Sequence, residues 1–245
     1  MAAKPAAPLI PIFSLVSDPM ADISNSEMKR LLDPFKRGKN LVILEIGANS
    51  GMDTKVLMQL ARNAHVHCFE CDPRAIARWR TIVKSSRATL YEVALSDKTG
   101  EAEFHPSGGN PGGRWENYGQ WDMSGSLLPF DRHKDNAPWM KYLDPIKVQT
   151  TTLDEWAAKT LPDNYVCPLI WIDVQGAEAI VFRSGVETLK HVHYVFAECD
   201  PRPNYKGQAT RDELAESLPE FELVREYPGY NLLFKNTDVV VPSKH

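Results

Sequence analysis

An apolar run that ends in a glycine loop constrains this chain more than any other feature. Residues 41–47 read LVILEIG, and apolar residues recur at helical spacing over 52–60, directly after the loop that ends at Gly51. A run that is apolar at nearly every position is typical of a strand covered on both faces of a parallel sheet. The pattern predicts a buried strand, a tight turn and a helix, in that order.

This strand-then-helix unit recurs along the chain. Further strands are predicted at 65–70, 88–95, 168–174 and 193–199, with helical patterns after the first, third and fourth of these. The segments 221–227 and 231–236, joined by Pro-Gly, predict a closing hairpin. The alternation predicts an α/β fold with a doubly wound, mostly parallel seven-stranded sheet. Such sheets bind ligands outside the carboxyl ends of their strands.

The segment 96–152 departs from this alternation. Short strands at EAEFH and IKVQTTT predict a β-ribbon inserted between the third and fourth strands, with about forty residues rich in Gly, Asn, Trp and Tyr between them. Loops of that length are functional lids or else disordered, and exposed tryptophans are costly in water. We expect a lid over the substrate, with contacts from Trp115, Tyr118, Trp121 and Ser126. We expect one domain over 41–240, preceded by a leader and a short helix over 1–40.

Composition and charge narrow the possible functions. The net charge of −4 over 245 residues gives no attraction to a polyanion, so we expect no nucleic-acid partner, and the basic segment 72–87 is interpreted as a solvated helix face. No apolar run reaches the roughly 20 residues of a membrane helix, so we expect no membrane partner. Four cysteines are too few for a disulfide framework. They indicate a reducing compartment, and we expect a cytoplasmic protein.

The glycine loop also predicts a ligand pocket. Gly47 and Gly51 permit backbone conformations and a close ligand approach that a side chain would block, and the loop opens a helix whose free N–H groups face the ligand. Glu70 ends the next predicted strand, 19 residues beyond Gly51. A carboxylate at that place can accept hydrogen bonds from both ribose hydroxyls. The combination predicts a nucleotide-like ligand.

Two cofactor classes share this geometry. Dinucleotide folds usually have G-x-G-x-x-G, so that the backbone can approach a pyrophosphate, whereas Ala48 and Asn49 lie between the glycines here. Glu45 would repel a phosphate and suits the ammonium and sulfonium of S-adenosylmethionine. The residues therefore favour methyl transfer. An NAD-dependent oxidoreductase and a binding module without catalysis are the alternatives.

Four segments of the sequence resemble the FkbM-type methyltransferases, which are class I S-adenosylmethionine-dependent enzymes. They are EIGANSG (45–51), VALSDKTGEAEF (93–104), SGSLL with VQTTTLDEW (124–128 and 148–156), and IDVQGAE (172–178). The resemblance spans about 45 to 200. It implies a Rossmann-like class I fold and an O-methyltransferase that acts on hydroxyls of sugars, glycans or natural-product small molecules.

The resemblance also implies a cofactor site. Gly47, Asn49 and Gly51 would line the methionine part of the cofactor, Glu70 its ribose, and the turn Ala94-Leu95-Ser96 its adenine. Glu45 stands where the family often has Asp, which keeps the charge. Gln175 stands where Glu is usual, so a role that needs negative charge at that position is not carried over.

The segment IDVQGAE also carries the candidate chemistry. Asp173 follows a buried predicted strand, the position that faces the ligand crevice, and we expect it to contact both cofactor and acceptor. Methyl transfer to an alcohol removes a proton from oxygen, and a base within hydrogen-bond reach adds roughly 10²-fold or more. We expect Asp173 to be that base, with Glu198 or His105 as substitutes. Asp173 and Glu198 could instead hold Mg²⁺, and the sequence leaves this open.

Overall fold

A computed structural model describes residues 23–113 and 119–241 of the chain. The strands are β1 Leu41–Ile46, β2 His65–Phe69, β3 Ala88–Tyr91, β4 Ala94–Leu95, β5 Gly100–Phe104, β6 Ser107–Gly109, β7 Met140–Tyr142, β8 Ile146–Thr151, β9 Val166–Ile172, β10 Val192–Glu198, β11 Phe221–Tyr227 and β12 Asn231–Asn236. The helices are α1 Asn25–Leu32, α2 Met52–Leu60, α3 Pro73–Ile82, α4 His133–Asn136, α5 Leu153–Thr160, α6 Glu178–Arg183, α7 Val186–Leu189 and α8 Arg211–Glu216.

The central sheet has seven strands in the order β11-β12-β10-β9-β1-β2-β3. Its pairs are parallel except for β12, which runs antiparallel to both β10 and β11. Apolar clusters cover both faces, with Leu44 and Ile46 of β1 in one cluster and Ile43 in the other. The predicted doubly wound α/β fold and its closing hairpin are confirmed. The carboxyl ends of β1, β2, β9 and β10 meet at one edge of this sheet.

The inserted ribbon is also confirmed, although it begins earlier than we expected. β5 and β8 pair antiparallel, and β4 pairs parallel with β8 in the same small sheet. The segment 88–95 was expected to form one strand, but it divides at Glu92 and Val93 into β3 and β4. It divides because β4 leaves the central sheet to pair with β8. A second pair, β6 and β7, lies within the insertion.

Helix boundaries follow local capping chemistry. Asp72 caps α3 by accepting the Arg74 N–H at 2.9 Å, as expected of an aspartate at this position.

One continuous helix was predicted after β9, but the chain breaks into α6 and α7 at Gly185. A Cβ at Gly185 would lie 2.5 Å from the Leu153 side chain. The break therefore lets α5 pack closely at this point.

The first described helix belongs to the core. Met28 and Leu32 of α1 are buried in the same apolar cluster as Leu41 and Ile43 of β1. Residues 1–22 lie outside the described residues, so the leader and the domain division at residue 40 stay predictions. In the ranges 23–113 and 119–241, no helix combines the length and apolar character needed to cross a membrane.

Candidate active site

A cavity of about 270 Å³ lies at the carboxyl edge of the central sheet. Its lining residues form two groups. The first follows β1, β2 and β3 and comprises residues 46–50, Phe69, Glu70, Cys71 and 93–95. The second follows β9 and β10 and includes the insertion, with residues 121–127, 172–178, 198–200, Arg202, Asn204 and Tyr205 among its members. The strand-end rule therefore located the cavity correctly.

The glycine loop is shaped by contacts within the protein. Gly47 has a φ of +87°, and its N–H donates to the Phe69 carbonyl at 3.0 Å. A Cβ at this position would lie 1.9 Å from the Asp173 carbonyl oxygen. Only glycine allows β1 and β9 to approach each other so closely. Gly47 lines the cavity, and it also brings the loop and Asp173 together.

Gly51 does not line the cavity, contrary to our expectation. Its φ is +83°, and a Cβ there would lie 2.6 Å from the side chains of Trp79 and Val83. The glycine is required because α3 packs against the start of α2. Asn49, in contrast, lines the cavity as expected and has a φ of +43°.

Glu70 lines the cavity and closes the loop around it. Its carboxylate accepts three backbone N–H groups, from Asn49 at 2.8 Å, Cys71 at 2.7 Å and Asp72 at 2.7 Å. Burial raises the pKa of Glu70, and these three hydrogen bonds oppose that rise. An ionised carboxylate offers about four acceptor sites. One site therefore remains for a ligand.

Glu45 does not line the cavity, which corrects the expectation that it contacts the cofactor. Side chains alternate along a strand, so Ile46 faces the cavity while Glu45 faces α2. The Glu45 carboxylate accepts the Thr54 hydroxyl at 2.5 Å and the Cys68 thiol at 3.1 Å. Burial raises the pKa of Glu45 to about 8. This acid joins the strand to the helix.

Asp173 and Glu198 both line the cavity and share one amide group. The Gln175 amide nitrogen donates to Asp173 Oδ1 at 2.7 Å and to Glu198 Oε2 at 2.8 Å. The Gln175 amide oxygen lies 2.8 Å from the Tyr205 hydroxyl, which donates to it. Burial and the nearby Asp173 raise the pKa of Glu198 well above its usual value. Gln175 has a φ of +57°, so its backbone is held in the left-handed region by these contacts.

Glu178 serves the backbone of the same loop. Its carboxylate accepts the N–H groups of Val174 at 2.9 Å and Gly176 at 3.3 Å. Burial raises the pKa of Glu178 to about 7. Both hydrogen bonds are made within the turn that leads into α6, as expected of an acid at a helix N-terminus.

Residues of the insertion complete the cavity wall. Trp121 and Ser126 line the cavity as predicted. The Trp121 indole N–H donates to Ser124 Oγ at 3.0 Å, and the Ser126 hydroxyl donates to the Gln175 carbonyl at 2.9 Å. Ser126 therefore ties the insertion to the loop that carries Asp173. Trp115 and Tyr118 lie outside the described residues.

Three arginines of the basic segment 72–87 bind neighbouring elements, so the interpretation of this segment as a solvated face is wrong for them. Arg78 forms an ion pair with the buried Asp122. Arg74 donates to the Ser107 carbonyl at 2.9 Å, and Arg87 donates to the Met58 carbonyl at 3.0 Å. Arg74 and Arg78 therefore fasten α3 to the insertion, whereas Arg87, beyond the end of α3, binds α2.

Two other predicted site residues do not line the cavity. The His105 N–H donates to the Ser126 carbonyl at 2.8 Å within an isolated bridge. Ser96 is buried, and its N–H donates to the Thr151 carbonyl at 2.9 Å. The backbone N–H groups of both residues form hydrogen bonds in or beside the small sheet. Ala94 and Leu95 line the cavity as expected.

The end of β10 was predicted to carry Glu198 and Asp200, but Arg202 and Asn204 were not predicted, although the strand-end rule points to this segment. Asp200 accepts two hydrogen bonds from Arg202 Nε, at 2.8 and 2.9 Å, and one from Asn204 Nδ2 at 2.8 Å. The Asp131 N–H donates to the Asn204 carbonyl at 2.8 Å, which docks the insertion on this segment. His133 of the insertion also lines the cavity, and burial lowers its pKa to about 4.

Across the described ranges, no group of three or more His, Cys, Asp or Glu side chains is arranged to hold a metal ion. Cys68 and Cys71 lie on opposite sides of the sheet edge. Cys68 faces Glu45 at 3.1 Å, whereas Cys71 lines the cavity.

Comparison with known proteins identifies the family. The methyltransferase FkbM domain matches residues 45–230, which include the glycine loop, the insertion and the Asp173 loop. The chain belongs to the FkbM methyltransferase family. This membership decides between the two cofactor classes, because it makes the protein a S-adenosylmethionine-dependent methyltransferase. The oxidoreductase alternative is thereby set aside.

A curated relative from Sinorhizobium fredii (strain NBRC 101917 / NGR234), named 2-O-methyltransferase NoeI, is 39% identical over 200 residues. The match covers 80% of this FkbM chain and 79% of the relative. Similar solved structures include a SAM dependent methyltransferase from Aquifex aeolicus, with a TM-score of 0.41 and 11% identity over 87% of this chain and 90% of that one. A precorrin-6y C5,15-methyltransferase from Geobacter metallireducens GS-15 has a TM-score of 0.40 and 10% identity over 90% and 87%. These structures are too distant to bear on the reaction.

Proposed function

We propose that this FkbM methyltransferase transfers a methyl group from S-adenosylmethionine to a hydroxyl of a sugar or glycan. The relative named 2-O-methyltransferase, at 39% identity, supports an oxygen acceptor. The observation that carries the proposal is that one cavity contains both the glycine loop and the Asp173–Glu198 pair. Asp200, Asn204 and Gln208 add carboxylate and amide groups to the lining. Such groups suit the many hydroxyls of a sugar.

The first group of lining residues has the chemistry that S-adenosylmethionine requires. Backbone at Gly47 and Asn49 would border its methionine part, and the free acceptor site of Glu70 would take one ribose hydroxyl. Phe69, Val93 and Leu95 provide an apolar surface for adenine. The carboxylates of the cavity complement a cationic ligand. When bound, the cofactor supplies an electrophilic methyl group to the acceptor.

Asp173 is the proposed base for the acceptor hydroxyl. Gln175 holds Asp173 Oδ1 at 2.7 Å. The Asp173 carboxylate would accept the hydroxyl proton as the oxygen–carbon bond forms and the methyl–sulfur bond breaks. Much of the rate would come from alignment of the two reacting groups. The amide nitrogen between Asp173 and Glu198 occupies the space that a bridging cation would need. This arrangement favours a base over the magnesium alternative.

The insertion is the proposed substrate lid. Trp121 and Ser126 line the cavity, and Ser126 binds the loop that carries Gln175. The ion pair between Arg78 and Asp122 would hold this wall against α3. An acceptor enclosed in this way is shielded from water, which strengthens its polar contacts.

The proposal is tested by methyl transfer to a panel of hydroxylated compounds. We expect the purified chain to release S-adenosylhomocysteine and to form a methyl ether on at least one neutral sugar or oligosaccharide, detected by mass spectrometry. Turnover on phenolic compounds without turnover on any sugar would contradict the sugar assignment.

The role of Asp173 is tested with an isosteric change. We expect Asp173→Asn to lower kcat by roughly 10²-fold or more, because the base is lost, while affinity for S-adenosylhomocysteine stays within a few fold. Activity measured with EDTA and with added Mg²⁺ separates the alternatives. Loss of activity with EDTA that Mg²⁺ restores would make the pair a metal site instead.

A further inference from the structure

Two backbone turns and one arginine at the cavity are already bound to acids of the same chain. Turns with successive N–H groups, helix N-termini and arginine guanidinium groups are the devices by which proteins bind phosphate. In the described lining, two backbone turns and one guanidinium group each hold one of the chain's own carboxylates, and the N-terminus of α2 carries Asp53 in its first turn. This pattern limits the charge that an acceptor can carry.

Two backbone turns illustrate the point. Glu178 occupies the turn after β9 by accepting the N–H groups of Val174 and Gly176. Glu70 binds the turns that follow β1 and β2. Its carboxylate accepts the N–H group of Asn49 after β1 and those of Cys71 and Asp72 after β2. A phosphate oxygen would compete with a carboxylate that is already in place at both turns.

The guanidinium groups are committed in the same way. Arg202 is the one arginine among the described lining residues, and no lysine is among them. Asp200 binds the Arg202 guanidinium through both carboxylate oxygens, and the Tyr230 ring lies 5.0 Å from the guanidinium carbon. Arg78, behind the wall, is paired with Asp122. A bidentate pair of this kind is among the stronger polar contacts in proteins.

The rest of the lining is acidic or neutral. Asp173 and Glu198 face the same cavity as Asp200, and His133 is buried. In a partly buried site, charges a few ångströms apart interact by several kcal/mol at an effective dielectric constant of about 20. An anionic group on the acceptor would therefore meet repulsion from these carboxylates, and the one arginine of the described lining is already paired with Asp200.

We propose that the acceptor is an uncharged glycoside and that sugar phosphates and nucleotide sugars are rejected. A phosphate on the anomeric carbon of a hexose is only a few bonds from every ring hydroxyl, so it would enter the cavity with the methylated hydroxyl. The enzyme therefore acts on a sugar that has already been joined to its aglycone or glycan. The glycosyl transfer that joins it releases the activating phosphate. This inference rests on the proposed sugar acceptor.

The test compares matched acceptors with the purified full chain. The probes are methyl hexopyranosides, the corresponding hexose 1-phosphates and the corresponding nucleoside-diphosphate hexoses, each with S-adenosylmethionine. We expect kcat/KM for the phosphorylated forms to be at least tenfold below that of the glycoside, and the gap to narrow at high salt because salt screens charge. Equal or faster turnover of a phosphorylated form would overturn the inference. Turnover of no sugar, with turnover of another hydroxylated compound, would overturn the proposed function instead.

A charge variant tests the cause of the discrimination. Asp200→Asn releases the Arg202 guanidinium and removes one negative charge. We expect it to reduce the preference for the glycoside over the 1-phosphate by about tenfold or more. Asp163→Asn removes the same charge from an exposed turn and should leave the preference unchanged. The same preference in Asp200→Asn and wild type, with circular dichroism showing both folded, would refute the charge mechanism.

Discussion

The acids at the strand ends have different roles because their partners differ. Glu45 binds a hydroxyl and a thiol beneath α2, and Glu178 binds backbone N–H groups. Asp173 and Glu198 share the amide of Gln175. The sequence places these acids at the edge of the sheet because strand ends are readable from it. It does not reveal the direction of each side chain. Successive side chains of a strand point to opposite faces of the sheet, so an error of one residue in the position of a strand places an acid on the wrong face.

Glu70 gives the clearest prediction for a single residue. We expect Glu70→Ala to weaken binding of S-adenosylhomocysteine by about 1 to 3 kcal/mol, because it removes the acceptor for a ribose hydroxyl and frees three backbone N–H groups. Glu70→Gln keeps one acceptor oxygen and should lose less. Isothermal titration calorimetry measures both. An unchanged affinity in Glu70→Ala would place the ribose elsewhere.

At the scale of elements, the close approach of the carboxyl ends of β1 and β9 connects the two halves of the site. Gly47 ends β1 against the Asp173 carbonyl, so the cofactor loop and the proposed base share one packing contact. The glycine loop was predicted as a close approach to a ligand. Gly47 lines the cavity and is also a close approach of one strand to the next. Contact of the loop with a ligand stays a prediction.

Gly47→Ala tests this contact. We expect it to lower the free energy of unfolding by about 2 kcal/mol or more beyond the cost of a left-handed alanine, because the new Cβ meets a backbone atom. Gly112→Ala is the matched control, since Gly112 has a φ of +73° and a Cβ there would meet no atom within 4 Å. Urea unfolding compares the two. Equal losses of stability in the two variants would show that β1 and β9 can move apart to make room for the new Cβ.

The contact of β1 with α2 predicts a pH dependence. Folded Glu45 keeps its proton up to a pKa of about 8, whereas an unfolded glutamate releases it near 4.5. The folded state therefore binds more protons between these values, and stability falls as pH rises through that window. We compare the free energy of unfolding of Glu45→Gln with that of wild type at each pH. From pH 5 to pH 8, we expect this difference to change in favour of Glu45→Gln by on the order of 3 kcal/mol. Parallel stability curves for both proteins from pH 5 to 8 would contradict this.

At the scale of the whole molecule, the fold was predictable and the partners within the site were not. Apolar runs such as 41–46 and the strand–helix alternation depend on local sequence, so the seven-stranded sheet and the inserted ribbon could be expected. The bonds of Asp122 to Arg78 and of Tyr205 to Gln175 join residues that are 44 and 30 positions apart. Such pairs follow from the tertiary arrangement and have no signal in a single sequence.

Ligand binding to the folded chain should raise its melting temperature. S-adenosylhomocysteine at about 100 times its Kd adds roughly 2.7 kcal/mol, which is a shift of about 5 to 10 °C for a chain of this size. NAD at the same concentration should give no shift, because the Asn49 N–H of the loop is bound by Glu70 and the N–H groups of Gly47 and Ala48 are bound by the Phe69 carbonyl. A shift with NAD alone would contradict the cofactor assignment.

We expect one cavity to hold both the cofactor and Asp173. The test is a crystal structure of the chain with S-adenosylhomocysteine. We expect ribose density at Glu70, adenine beside Leu95, and the sulfur facing the Asp173 carboxylate. Density for the ligand at any other place, or a sulfur shielded from Asp173 by protein atoms, would contradict it.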